Sequence, residues 1–141
     1  MRESHMYYKQ LAKEFFDFMV KTKAGAMGPP DPKDYSQGEM GILLYLTFHN
    51  DGVPSGQLSE VLHVSTGRVA SALKSLEKKE LIIRRSDGAD KRRVNVYITD
   101  KGRQSTLEKH EEAIEKMEKS LKKLGEEDAK IFIELSKRFF S

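Results

Sequence analysis

The sequence contains no cysteine, which excludes disulfides, thiolate zinc sites and any cysteine-based redox sensing. It has no run approaching the roughly 18 consecutive apolar residues that a membrane span needs. No apolar stretch of signal type opens it either, so a cytoplasmic protein without membrane engagement is expected. Ser4-His5-Met6 is compatible with a cloning remnant ahead of a natural start at Met6, so Met1–His5 carry no weight. A glycine-rich phosphate loop, a nucleophile elbow and a His-Glu metal motif are all missing. The acidic pairs Asp31/Asp34 and Asp87/Asp90 lie in polar stretches that do not favour general acid–base work. Neither an enzyme nor a cofactor is therefore expected. The histidines are His5, His49, His63 and His110, and no two share an i, i+3 or i, i+4 spacing. His110 has Glu111 and Glu112 beside it, but it falls on an apolar helix seam, so no metal site is expected.

Charge is what the sequence has in quantity. A third of the 141 residues (33%) are charged, typical of long exposed helices, while the 38% hydrophobic content still allows a packed core. The net +3 is unevenly spread. Residues 1–64 carry 6 Lys/Arg against 8 Asp/Glu, residues 65–99 carry 9 against 4, and residues 100–141 carry 10 against 10. The central balance of +5 suits a segment that faces a polyanion. A merely solvated charge run would look the same if charge were the only signal.

Periodicity supplies the rest. Leu11, Phe15, Phe18 and Thr22 predict a helix over Met6–Lys23, and the Gly/Pro-rich Ala24–Tyr35 predicts a loop. Ser36-Gln37-Gly38-Glu39 is a capping-box pattern opening a second helix, apolar nearly all round and so buried, through about His49. Asn50-Asp51-Gly52 stops it. Ser55 is the expected N-cap of a short helix Gly56–Leu62, His63-Val64 a tight turn, and Ser65 the cap of Thr66–Lys79. Strands are expected at Leu81–Arg85 and Val94–Thr99, with a polar hairpin tip between them. Thr99 should cap a long helix to Leu124. There Leu107, His110, Ile114, Met117, Leu121 and Leu124 form a heptad seam. After Gly125, a last helix is expected to bury Ile131, Phe132, Leu135 and Phe139.

A short helix, a tight turn, a second helix and a basic hairpin make a mainly α (α+β) winged helix-turn-helix. The major groove, about 12 Å wide, admits one helix, whose side chains read base edges. Small or polar residues at that helix's start let its N-terminus approach phosphates, and Ser65, Thr66 and Gly67 meet this need. Arg68, Ser71 and Lys74 follow on one face. Arg84, Lys91, Arg92 and Arg93 add charge on and around the hairpin, whose tip suits the narrow, electronegative minor groove. Taken singly, each could be a plain cap or a solvated charge. The agreement of motif order with charge asymmetry favours a DNA-reading head.

The run from Asp90 to Gly102, Asp-Lys-Arg-Arg-Val-Asn-Val-Tyr-Ile-Thr-Asp-Lys-Gly, resembles the wing signature of the MarR family of regulators. Val69 to Arg84, with its Leu76-Glu77-Lys78-Lys79 ending, is similar to that family's recognition helix. The resemblance implies one MarR-like domain over 1–141. A winged head would occupy 36–99, and dimerisation helices 6–23 and 100–141. It implies that Arg92 enters the minor groove, that Asp90 orients this arginine by a charge-assisted pair, and that a dimer binds a pseudo-palindrome of double-stranded DNA. Glu80 departs from the family pattern, which commonly has glycine there. A left-handed backbone would cost glutamate about 1 kcal/mol, so a different helix end and a shifted strand entry are expected.

Leu11, Phe15, Ile114, Met117, Leu121, Phe132, Leu135 and Phe139 offer more apolar surface than a small head can cover, and a two-fold partner would bury it. An intramolecular bundle is the alternative. The resemblance also implies a small aromatic or anionic effector, with Phe15, Tyr45, Phe48 and His49 as lining candidates. Residues at such spacing more often form plain core, so both readings stand. The expected function is a ligand-responsive homodimeric repressor. The runners-up are a metal-responsive regulator and a winged-helix module for protein contacts only.

Overall fold

The computed structural model describes residues 2–21, 37–86, 88–90 and 92–141. Among them the chain order is α1 (Arg2–Lys21), α2 (Gln37–Phe48), β1 (Val53–Pro54), α3 (Ser55–Leu62), α4 (Thr66–Lys78), β2 (Ile82–Ser86), β3 (Val94–Ile98), α5 (Asp100–Leu124) and α6 (Glu126–Phe140). The expected loop Ala24–Tyr35, the Ser36 cap, Asp87 and Lys91 lie outside the described residues. The chain divides into two compact units, Gly25–Leu107 and Met1–Ala24 with Glu108–Ser141. Helix α5 contributes its first turns to one and the remainder to the other.

In the unit Gly25–Leu107 the all-round apolar α2 is buried as its composition requires, through Ile42, Leu43 and Leu46. It meets Leu58 of α3, the Val69/Leu73/Leu76 face of α4, and Ile82, Val96 and Ile98 of the sheet in one core. Fully burying each such side chain stabilises by roughly 1.5–3 kcal/mol. The sheet order is β1-β3-β2, all antiparallel. Val53 pairs with Val96, and β2 with β3 runs from Ile82↔Ile98 to Ser86↔Val94. Residues alternate between core and solvent along β3, so Val96 and Ile98 point inward.

Turn chemistry corrects two expectations. Pro54, held extended (ψ 152°) by its pairing with Asn95, is the N-cap of α3. Ser55 is therefore the first helical residue and caps nothing. Glu80 does adopt the left-handed conformation (φ 64°) that was expected to be avoided. The Leu81 N–H donates to the Leu76 carbonyl and the Glu80 N–H to that of Glu77, both at 3.0 Å. This is the hydrogen-bond pair of a Schellman motif closing α4. Leu81 is used by that turn, which moves the strand entry one residue on, to Ile82. His63 (φ 53°) ends α3 in the same left-handed way. Ser59 braces it, its Oγ donating to the Val64 carbonyl at 2.6 Å.

In the other unit Tyr8, Leu11 and Ala12 of α1 pack with Ile114 and Leu121 of α5 and Ala129 and Ile133 of α6. Lys9 pairs with Glu111 at 3.5 Å, and Lys137 pairs with Glu14. Leu11, Ile114 and Leu121 are thus interior to the chain itself, and they are withdrawn from the candidate dimer surface. The last helix is also rotated relative to expectation. It buries Ala129 and Ile133, whereas Ile131, Phe132 and Leu135 are about half exposed and Phe139 is 81% exposed. The heptad seam is only partly internal. Ile114 and Leu121 are buried, Met117 and His110 half-buried, Leu107 and Leu124 exposed. His110 stands edge-on to Phe16 (5.9 Å), and burial holds its imidazole pKa below the usual histidine value, against the opposing pull of Asp17 and Glu111.

Candidate nucleic-acid interface

Helix α4 turns Val69, Ala72, Leu73 and Leu76 inward, and the 3.6-residue repeat therefore leaves Thr66, Gly67, Arg68, Ser71 and Lys74 outward. Ser65 caps the helix, accepting the Arg68 N–H at 3.2 Å, which fixes its start and takes one of the orphan amides there. All six candidates from Ser65 to Lys74 are exposed on one side. Among the described residues neither Arg68 nor Lys74 is engaged in an ion pair, so both cationic heads are open to a ligand. Among the described residues a Cβ on Gly67 would meet no atom within 4 Å, so that side of the helix start is open.

The hairpin tip is organised by Asp90. Its Oδ1 accepts the Arg92 N–H at 3.0 Å and its carbonyl accepts the Arg93 N–H at 3.0 Å, a side-chain-stabilised turn. The Arg92 Nε lies 3.7 Å from the same Oδ1, with the arginine side chain 95% exposed. A pair that open to solvent contributes little. Asp90 therefore shapes the tip mainly through main-chain bonds. Arg84 is turned back onto α4, its Nε 3.6 Å from Glu77, and so is less open than Arg68 or Arg92. Arg93 is exposed beside the tip, and Lys91 lies outside the described residues.

The aromatic candidates fall in different units. Tyr45 and His49 stack at 5.5 Å, and the Tyr45 hydroxyl accepts from Gln57 Nε2 at 3.0 Å and Asn50 Nδ2 at 3.3 Å. Phe48 is exposed, and Phe15 belongs to the other unit, edge-on to Phe16 at 5.6 Å. Among the described residues no three His, Cys, Asp or Glu side chains group as metal ligands. Nor is any described helix long and apolar enough to cross a membrane.

Sequence reasoning missed two features. Arg85 is a further exposed cation on β2, in register with Asn95, and has no ion pair among the described residues. Buried Glu39 of α2 accepts Lys79 Nζ at 3.3 and 3.4 Å, tying α2 to the end of α4. Forty residues separate the two partners, and no local pattern announces such a pair.

A three-helix core that includes a recognition-type helix, packed on a three-stranded sheet whose β2–β3 hairpin is basic, defines a winged helix-turn-helix protein. A family model described as the MarR family matches residues 34–93. The HTH-type transcriptional regulator MhqR of Bacillus subtilis is 28% identical over 99 residues. That match covers 68% of this chain and 66%, just under two thirds, of MhqR. The transcriptional regulator Tm0710 of Thermotoga maritima is 30% identical, with 72% of this chain and 71% of that one covered and a TM-score of 0.52. Streptococcus pneumoniae FabT, solved in complex with DNA, superposes with a TM-score of 0.66 at 27% identity, covering 77% and 75%. Over residues 34–93 the chain is thus similar to the MarR family of transcriptional regulators.

Proposed function

We propose that this chain is a sequence-specific DNA-binding transcriptional regulator, a ligand-responsive homodimeric repressor that binds a pseudo-palindromic operator in the cytoplasm and catalyses no reaction. The observation that carries the reading is the outward face of α4, where Ser65, Thr66, Gly67 and Arg68 present polar groups and a cation at the helix N-terminus and Ser71 and Lys74 continue the exposed face. The excess of +5 over residues 65–99 and the exposed Arg92 agree with it, as does the similarity to FabT solved on DNA. Arg68 and Ser71 are placed to read bases, while Lys74, Arg84, Lys91, Arg92 and Arg93 hold backbone or minor groove. The dimer is formed by segments 6–23 and 100–141 flanking a head over 36–99. Within these segments the exposed Phe132, Leu135 and Phe139 of α6 supply the apolar surface that a second copy covers. Repression needs only promoter occupancy. A small aromatic or anionic effector would act by changing the spacing of two recognition helices, and Tyr45, Phe48, His49 and Phe15 are the aromatic groups first in line to meet it.

Selection from random duplexes tests the reading. The expected product is a pseudo-palindrome with half-sites about one turn, near 34 Å, apart. A winged-helix module used only for protein contacts would enrich no sequence. A zinc-responsive regulator would do so only with metal added.

A further inference from the structure

Helix α4 ends in a strained turn, and that turn is held by residues outside both the helix and the hairpin tip. The Glu80 carbonyl accepts the Thr99 hydroxyl at 2.8 Å, and the Leu81 carbonyl accepts the Thr99 N–H at 3.0 Å. The same Thr99 Oγ1 accepts the Gly102 N–H at 2.9 Å, capping the first turn of α5. Lys101 Nζ reaches the Lys79 carbonyl at 3.3 Å and the Glu80 carboxylate at 3.8 Å. Gly102 is buried against the turn. A Cβ there would collide with the Leu81 carbonyl oxygen and stand 2.9 Å from Ile98 Cγ1, so only glycine permits this approach.

We propose that Thr99, Lys101 and Gly102 are positioning residues for DNA reading, clasping the left-handed Glu80–Leu81 turn of α4 to the first turn of α5 so that the recognition helix and the start of α5 move as one body. Two main-chain carbonyls bonded by one threonine and direct helix-to-carbonyl packing tie the turn to the first turn of α5, and the exposed lysine over a third carbonyl adds a weaker contact. The angle at which α4 enters the groove is then set from α5. A displacement of the first turn of α5 is delivered to the reading face without passing through the hairpin tip. None of these three residues needs to touch DNA. The proposal rests on the DNA-binding reading above.

The test compares Thr99→Val, which keeps the β-branched shape and removes both hydroxyl bonds, with Thr99→Ser, which keeps the hydroxyl. Affinity is measured for the selected operator and for a scrambled duplex of equal length, together with amide exchange at Leu81 and Gly102. Thr99→Val is expected to lose about 10-fold or more in operator affinity, on the scale of two hydrogen bonds. Its scrambled-duplex affinity should stay within about threefold, because every phosphate-facing cation is retained. Exchange at Leu81 and Gly102 should accelerate, and Thr99→Ser should restore both operator affinity and exchange. Operator affinity of Thr99→Val equal to wild type would overturn the proposal. So would parallel loss on both duplexes, or failure of Thr99→Ser to rescue. If the wild-type protein binds no duplex, it is the DNA-binding reading that fails.

Discussion

Gly102→Ala and Gly67→Ala are the same substitution in two helices and should have opposite effects. On propensity alone, each replaces glycine by the best helix former, a gain of about 0.8–1 kcal/mol in a helix interior and less near a terminus. At Gly67 nothing opposes the gain, since a Cβ there meets no atom within 4 Å. At Gly102 the new methyl runs into the Leu81 carbonyl, a main-chain atom that cannot rotate away, and crowds Ile98. Overpacking of this kind costs about 1–3 kcal/mol. Separating α5 from the turn also weakens the bonds from Thr99 to Glu80 and Leu81, at about 1 kcal/mol each. The clash outweighs the propensity, leaving Gly102→Ala less stable by about 2–3 kcal/mol. For a chain of this length that lowers Tm by about 6–12 °C, whereas Gly67→Ala should raise it by a few degrees. Thermal unfolding followed by far-ultraviolet circular dichroism, at one fixed protomer concentration because a dimer's Tm depends on it, reads both. A Tm for Gly102→Ala equal to or above wild type would refute the close approach of α5 to the α4 turn.

Glu80→Gly should stabilise the fold by about 1 kcal/mol, because glycine takes the positive φ without strain; a urea midpoint below wild type would count against the Schellman ending. His110 contributes a pH dependence of known sign. Its folded pKa lies below the unfolded value, so stability is full above about pH 6.5 and falls as the unfolded state gains its proton first, down to the folded pKa. His110→Gln should flatten that part of a stability–pH curve. Phe139→Glu should yield folded monomers by sedimentation, since this side chain is 81% exposed in the single chain. Leu121→Ala should instead cost about 2–5 kcal/mol by opening the chain's own core, and a dimer that survives Phe139→Glu unchanged would remove α6 from the interface.

Much of the head was legible because its information is local. The α4 face follows from a 3.6-residue repeat, β3 from strict alternation, and the Ser65 cap from one residue beside one helix. The misreadings arose where a second element decides. Burial was expected of Ile131, Phe132, Leu135 and Phe139 because periodicity finds apolar residues without saying whether the chain itself or a second copy covers them. Ala129 and Ile133 fill the inward side, since small and branched side chains fit close against α1 and α5. Leu11, Ile114 and Leu121 looked like dimer contacts for the same reason, and they proved to be core. Ser55 lost the cap because strand pairing fixes Pro54, a sheet effect. Glu80 keeps a glycine-like conformation because Thr99 and Lys101, some 20 residues on, bond the turn from outside. The Thr-x-x-Gly pattern was visible as a family likeness, but its physical reason, a carbonyl packed where a Cβ would stand, exists only in three dimensions.

The central claim, that a basic helix and wing read DNA, is tested most directly by the salt dependence of operator binding in wild type and Arg92→Ala. Each neutralised phosphate contributes about −0.9 to the slope of log affinity against log salt. Two heads engaging DNA through Arg92 and the α4 cations predict a steep wild-type slope. Arg92→Ala should weaken binding and make that slope shallower by about one unit per protomer while the dimer persists. A shallow wild-type slope, or unchanged affinity and slope in Arg92→Ala, would contradict the account.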